Sequence, residues 1–205
     1  MLTVDNLNFR DMYHEICFLS VNENISKTMK SSDLPRPKEA NGILVYGYID
    51  HEAGFTFEVL GWGFYDHGKI SPFAGNKEVS SKLRRSSVAD CIIVFASHVD
   101  LSPYQDKIDM VKETYSSTDS VEITRGIESI DNSRNTDYPD DVLVYLLAEN
   151  KDPEGCWVRC LDVDENEIKG QLLNEPSQSF GIHSGDVIGF GVMSQEDGDI
   201  CVAMV

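Results

Sequence analysis

Apolar and polar positions follow two regimes along this 205-residue chain: longer mixed segments first, then short, evenly spaced strands. Phe9, Met12, Tyr13, Ile16 and Leu19 recur at helical spacing behind Asn8, a good N-cap, and predict an amphipathic helix at the start. Residues 22–41 are polar and carry Pro35 and Pro37, which predicts an extended connection. Residues 43–49 and 55–60 are β-rich runs about a turn ending in Gly54, so a hairpin with a longer loop is expected. The apolar run 91–95, bounded by polar residues, has the pattern of a buried central strand. Ser102-Pro103 supplies a cap and a first-turn proline for a helix with Tyr104, Ile108, Val111 and Tyr115 on one face. A short strand is expected after it, near residues 121–123.

Residues 128–141 are rich in Asp, Asn and Ser, lack apolar periodicity, and have the composition of a linker or long surface loop. Five short strand patterns follow, at 142–148, 157–163, 167–173, 187–192 and 200–205, separated by turn clusters. The fold class expected is α+β: a mixed α/β domain over 1–130, an acidic linker over 131–141, and a small antiparallel β-barrel or sandwich over 142–205. Trp157 is expected in the core of that module, because large aromatics dominate small cores.

The last quarter also carries Trp157-Val158, then Gly170, Leu172, Asn174 and Pro176, then Gly185-Asp186-Val187. In this pattern it resembles the bacterial YegJ-like family, a domain of unknown function. Where that family closes with an Asp-Trp pair, this chain ends Val202-Ala203-Met204-Val205. The resemblance implies a small β-rich fold and brings no activity with it. By their chemistry the matched residues are turn and core positions: Asn174 and Pro176 end a strand, and Gly185-Asp186 turns into one.

Composition, 41% apolar and 25% charged, is that of a globular chain. Charge changes the picture. The formal net charge is −18, and it is lopsided: residues 1–110 hold 11 Lys+Arg against 15 Asp+Glu, residues 111–205 hold 6 against 20. Such a field repels nucleic acid and anionic lipid, and it favours either plain solubility or a basic protein partner. The acidic loops give the candidate partner-binding residues: Asp131, Asp137, Asp140 and Asp141 in the linker, and Asp162, Asp164, Glu165 and Glu167 in a hairpin. Five cysteines, an odd number set in apolar runs, read as buried reduced thiols of a cytoplasmic protein. No signal-peptide pattern and no apolar run of membrane-spanning length is expected to alter that location.

Catalytic and cofactor motifs are weak. Asp162-x-Asp164-x-Asn166 begins like a calcium loop but has Glu167 at the sixth position and Leu173 at the twelfth. Cys156 and Cys160 lack the second ligand pair of a zinc site. Gly61-Trp62-Gly63 and Gly189-Phe190-Gly191 lack the rest of a nucleotide loop. Lys82, Arg84 and Arg85 are too small a basic spot for nucleic acid. No metal or cofactor is therefore expected. His51 beside Asp50 and His67 beside Asp66 are the catalytic candidates if the fold brings them together. Trp62, Phe64, Tyr65 and Phe73 suit either a sheet core or the lining of a pocket. The leading expectation is a non-enzymatic bacterial binding protein, of the immunity or inhibitor kind, that neutralises a cationic toxin or enzyme. The alternatives are a small hydrolase or transferase built on His51 and His67, or a housekeeping protein of the YegJ-like family with a structural or assembly role.

Overall fold

The computed structural model describes residues 1–32, 34–73, 80–164, 167–196 and 198–205. The chain divides into two compact units, Met1–Ser116 and Ser117–Val205. The architecture is α+β, with the expected barrel closed in the second unit.

In the first unit Asn8 caps α1 (Phe9–Met12), accepting from the Arg10 amide at 3.0 Å. The helix stops there instead of running to Leu19. His14 sits at φ 61° and donates its amide to the Gly47 carbonyl at 2.8 Å, and the chain continues as β1 (Ile16–Ser20). Ile16-Cys17-Phe18-Leu19 is apolar at every position because a strand with neighbours and covered faces on both sides buries every position. The extended connection expected over 22–41 contains a helix, α2 (Glu23–Lys30), capped by Asn22. It ends before Pro35 and Pro37, as proline requires.

The expected hairpin is present as β2 (Gly42–Asp50) and β3 (Gly54–Asp66), followed by β4 (Lys69–Pro72), β5 (Lys82–Arg84) and β6 (Ile93–Phe95). The strand order β4-β3-β2-β1-β6, with β5 also on β3, puts β6 at an edge, not at the centre. One sheet face, with Cys17, Leu19, Ile43, Val45, Phe55 and Phe57, packs on Met12, Ile25 and Met29. The other, with Phe18, Leu44, Tyr46 and Leu60, packs on Tyr104, Ile108 and Val111 of the predicted helix, here a 3-10 turn at Ser102–Tyr104 leading into α3 (Gln105–Thr114). A buried ion pair fixes that helix: Lys107 Nζ lies 3.0 Å from Glu58 Oε1 and donates to the Val59 carbonyl at 2.6 Å.

The second unit begins with α4 (Asp119–Arg125), where a strand was expected. Thr118 caps it, accepting from the Val121 amide, and the two-residue apolar interval Val121–Ile123 is too short to distinguish the periods. The 128–141 segment is no linker: it holds a 3-10 turn, Glu128–Ser133, whose Ile130 is fully buried in the barrel core. The barrel strands are β7 (Asp141–Leu147), β8 (Glu154–Val163), β9 (Ile168–Leu172), β10 (Val187–Gln195) and β11 (Gly198–Met204), closed in the order β10-β11-β7-β8-β9. Five strands cannot alternate direction around a closed ring, so one pair, β11 with β7, is parallel. Cys156, Val158 and Cys160 point into the core, which turns Trp157 outward and half-exposed, contrary to its expected place.

Lys107→Met leaves the Glu58 carboxylate buried without its cation. It should lower the unfolding free energy by about 3–5 kcal/mol in urea denaturation, and a Glu58→Met/Lys107→Met double variant should recover most of that. A single-variant loss below about 0.5 kcal/mol would show that the pair does not hold α3 in place.

Candidate functional site

The histidine candidates do not meet. His51 lies in the turn before β3 and His67 in the turn after it, at opposite ends of a 13-residue strand. Fully extended, that is roughly 40 Å, so no dyad forms. His51 Nε2 contacts the Ser116 carbonyl at 3.2 Å, while the His67 side chain is 94% exposed. His98 Nε2 accepts from the Ile70 amide at 3.3 Å. All five cysteines are free and buried. Burial pushes Cys17, Cys91 and Cys160 up to about 12, where the nucleophilic thiolate is scarce at neutral pH. Among the described residues no three His, Cys, Asp or Glu side chains converge as a metal site, and no helix is long and apolar enough to cross a membrane.

The acidic candidates separate into internal and external groups. Asp140 and Asp141 are buried, which removes them from any partner-facing set. Asp140 takes a two-oxygen grip on Arg125, Nε and Nη2, at 2.8 and 2.7 Å. Asp141 holds Arg159 in the same way at 2.6 and 2.9 Å. Asp131 accepts from Arg134 Nε at 3.0 Å, and the remaining Arg134 nitrogens donate to the carbonyls of Thr124, Ile127 and Pro139. The carboxylates that gave this segment its linker-like composition are thus its anchors. Asp137 is half-buried in a turn closed by Asn135 Oδ1.

Asp162 follows along β8. Its carboxyl is held below the ordinary range by the Ser120 hydroxyl first and the Val163 amide second. Asp164 pairs with Lys169 at 2.9 Å and accepts from the Glu167 amide. Glu167 is exposed, and Glu165 lies outside the described residues. The Asp141–Arg159 register of β7 and β8 places both acidic clusters toward one end of the barrel.

The segment that carries Asn174 and Gly185 is a stitched turn. Asn174 Oδ1 accepts from the Trp157 amide at 2.7 Å, and the Gly185 amide donates to the Leu172 carbonyl at 2.8 Å. A Cβ on Gly170 would stand 2.5 Å from Val158 Cγ1, so close strand packing requires glycine there. Glu175 bridges His183 Nδ1 at 2.7 Å and the Ser184 amide at 2.9 Å.

A further feature lies on the outside of the barrel, and the sequence reading did not identify it. Register pairs Met193 with Ile200 and, across the parallel pair, Val202 with Tyr145 and Met204 with Leu147. Their strand neighbours Val144, Leu146, Cys201 and Ala203 fill the core. β7 and β11 are therefore apolar on both faces, and the outer face they share with β10 is not fully covered: Met193 of β10 is 38% and Met204 of β11 78% exposed. A groove of about 290 Å³ runs there, lined by Tyr145, Leu147, Pro153, Met193, Ile200 and Val202. Glu149, Asp152 and Glu196, all exposed, lie within two residues of lining positions in sequence. The signal was available: a barrel strand facing water should alternate, and residues 143–147 and 200–204 do not.

The Glu175 bridge, by hydrogen bond and then by charge, raises the His183 pKa, while His183 lowers that of Glu175. The His183 contribution is present below the ordinary histidine pKa and lost as pH rises through the raised one. That of Glu175 is present above the ordinary glutamate pKa and lost as pH falls through the lowered one. In an NMR titration His183 should therefore titrate above its ordinary 6.5, and Glu175→Gln should bring it back down. An unchanged midpoint would show that the bridge is absent in solution. Compared with protein-family models, with curated proteins and with solved structures, the chain matches none.

Proposed function

We propose that this chain is a non-enzymatic binding protein of the bacterial cytoplasm, an immunity or inhibitor protein whose barrel receives a basic protein partner. One observation carries the reading: an uncovered apolar groove lies on a unit whose cations are all engaged inside it. Residues 117–205 hold 5 Lys+Arg against 19 Asp+Glu. Arg125, Arg134, Arg159 and Lys169 are ion-paired within the unit, and Lys151 donates to the Ser179 carbonyl. Asp and Glu far outnumber these paired cations, and an apolar groove on an acidic unit fits a surface with an apolar anchor flanked by Lys and Arg.

Barrel closure narrows the mode of contact. Among its described residues the closed barrel leaves no strand edge for a partner to extend, so at the barrel side chains must do the recognising. Two exposed methionines on the face suit an adaptable apolar contact. Buried thiols support a reducing compartment. The resemblance to the YegJ-like family is compatible with this role and adds no chemistry to it.

The intact chain, used as bait in its own cells, should retain one stoichiometric basic protein that is released by high salt. A Glu149→Gln/Asp152→Asn/Glu196→Gln bait should bind it about tenfold more weakly, since each exposed charge pair is worth up to about 1 kcal/mol. Met193→Asp should weaken it as well. A partner held equally by all three baits, or held unchanged in high salt, would contradict the proposal.

A further inference from the structure

The first unit holds a cavity of about 490 Å³ between the end of α2, the proline-flanked segment after it and β3. Its floor is apolar: Met29, Leu34 and Trp62 are all buried. Its wall carries two cations, Lys30 from the last turn of α2 and Arg36 from the segment between Pro35 and Pro37. In a chain of net charge −18, two cations over an apolar floor are the exception and need a reason.

The site is built before any ligand arrives. Trp62 Nε1 donates to the Leu34 carbonyl at 3.1 Å, which fixes the indole plane. Arg36 donates through Nε and Nη2 to the Ala40 carbonyl at 3.2 and 2.8 Å. Its guanidinium carbon lies 5.3 Å from the Trp62 ring centre, within cation–π range. The prolines on either side of Arg36 restrict the backbone that carries it, so ordering costs little on binding. Arg36 thereby keeps Nη1 clear of the Ala40 contact, and the Lys30 ammonium has no acceptor among the described residues.

The end of a helix is ordinarily hostile to an anion, because its last carbonyls point there. Here they are partly occupied: Ser31 Oγ donates to the Thr28 carbonyl and Ser32 Oγ to the Met29 carbonyl, both at 2.8 Å. The two cations then set the sign of the site. A bare inorganic anion would make no use of the apolar lining, and a neutral apolar molecule would leave both cations unmatched.

We propose that this cavity binds an amphipathic organic anion, a flat apolar group carrying one carboxylate, sulfonate or phosphate. The flat group lies on Trp62, Met29 and Leu34, and the anionic group lies between Lys30 and Arg36. This site is independent of the barrel groove and does not rest on its partner.

The test reads the indole N–H of Trp62 by ¹⁵N NMR on the full chain. The protein has two tryptophans, so a Trp157→Phe variant assigns the signal. Naphthalene-1-carboxylate should move the Trp62 signal saturably, the neutral naphthalene-1-methanol should bind at least tenfold more weakly, and inorganic phosphate should leave the signal in place. Lys30→Gln and Arg36→Gln should each weaken naphthalene-1-carboxylate about tenfold, the loss of one charge-assisted hydrogen bond. Lys30 is exposed and has no acceptor among the described residues, so Lys30→Gln tests the site without threatening the fold. No saturable movement of the Trp62 signal, binding unchanged in Lys30→Gln, or phosphate acting as well as the carboxylate would overturn the proposal.

Discussion

Arg134 is the residue on which the second unit turns. Its side chain is 4% exposed, and from that one position it ties Asp131 and the carbonyls of Thr124, Ile127 and Pro139 into a single knot. Arg125 with Asp140 and Arg159 with Asp141 extend the same arrangement to α4 and to the start of β7 where it pairs with the later half of β8. A buried guanidinium without partners would cost several kcal/mol. The segment before the barrel must therefore fold onto it, carboxylates inward. The surface consequence follows directly. Arginines that must be matched inside are not available outside, and the excess of Asp and Glu is left facing solvent.

Closure of the barrel supplies the second half of the argument. An odd number of strands forces one parallel pair, and that pair, β7 with β11, is apolar on both faces. Inside, Val144, Leu146, Cys201 and Ala203 are a packed core. Outside, Tyr145, Leu147, Ile200 and Val202 line a groove that nothing among the described residues of the unit fills. On the reading proposed above, an acidic surface would repel nucleic acid and like-charged proteins, and the groove is where a basic partner would be held.

Much of this was legible in the sequence where local chemistry and tertiary context agree. The hairpin about Gly54, the proline-led helix ending at Thr114 and all five barrel strands follow from period and turn residues alone. Failures came where tertiary contacts decide. Ile16 and Leu19 share a helical face with Phe9 on paper, but the Gly47 carbonyl captures the His14 amide and the run becomes a strand. Residues 128–141 look like a linker because their carboxylates look solvated, and only their pairing with Arg125, Arg134 and Arg159 reveals otherwise. Asp140 and Asp141 were read as surface for the same reason. Trp157 was assigned by size when the alternation Cys156, Val158, Cys160 already placed it outside. The groove is hidden in the sequence because an apolar strand position does not by itself say whether its face is covered.

The most direct test of the central claim is to observe the arginines themselves. In ¹⁵N NMR of the intact chain, the Nε–H groups of Arg125, Arg134 and Arg159 should exchange slowly with water and keep their shifts on going from low salt to high. This is because their partners are internal carboxylates rather than solvent ions. Fast exchange, or shifts that follow the salt, would place these cations at the surface, where they would offset the acidic face and remove the basis for a basic partner.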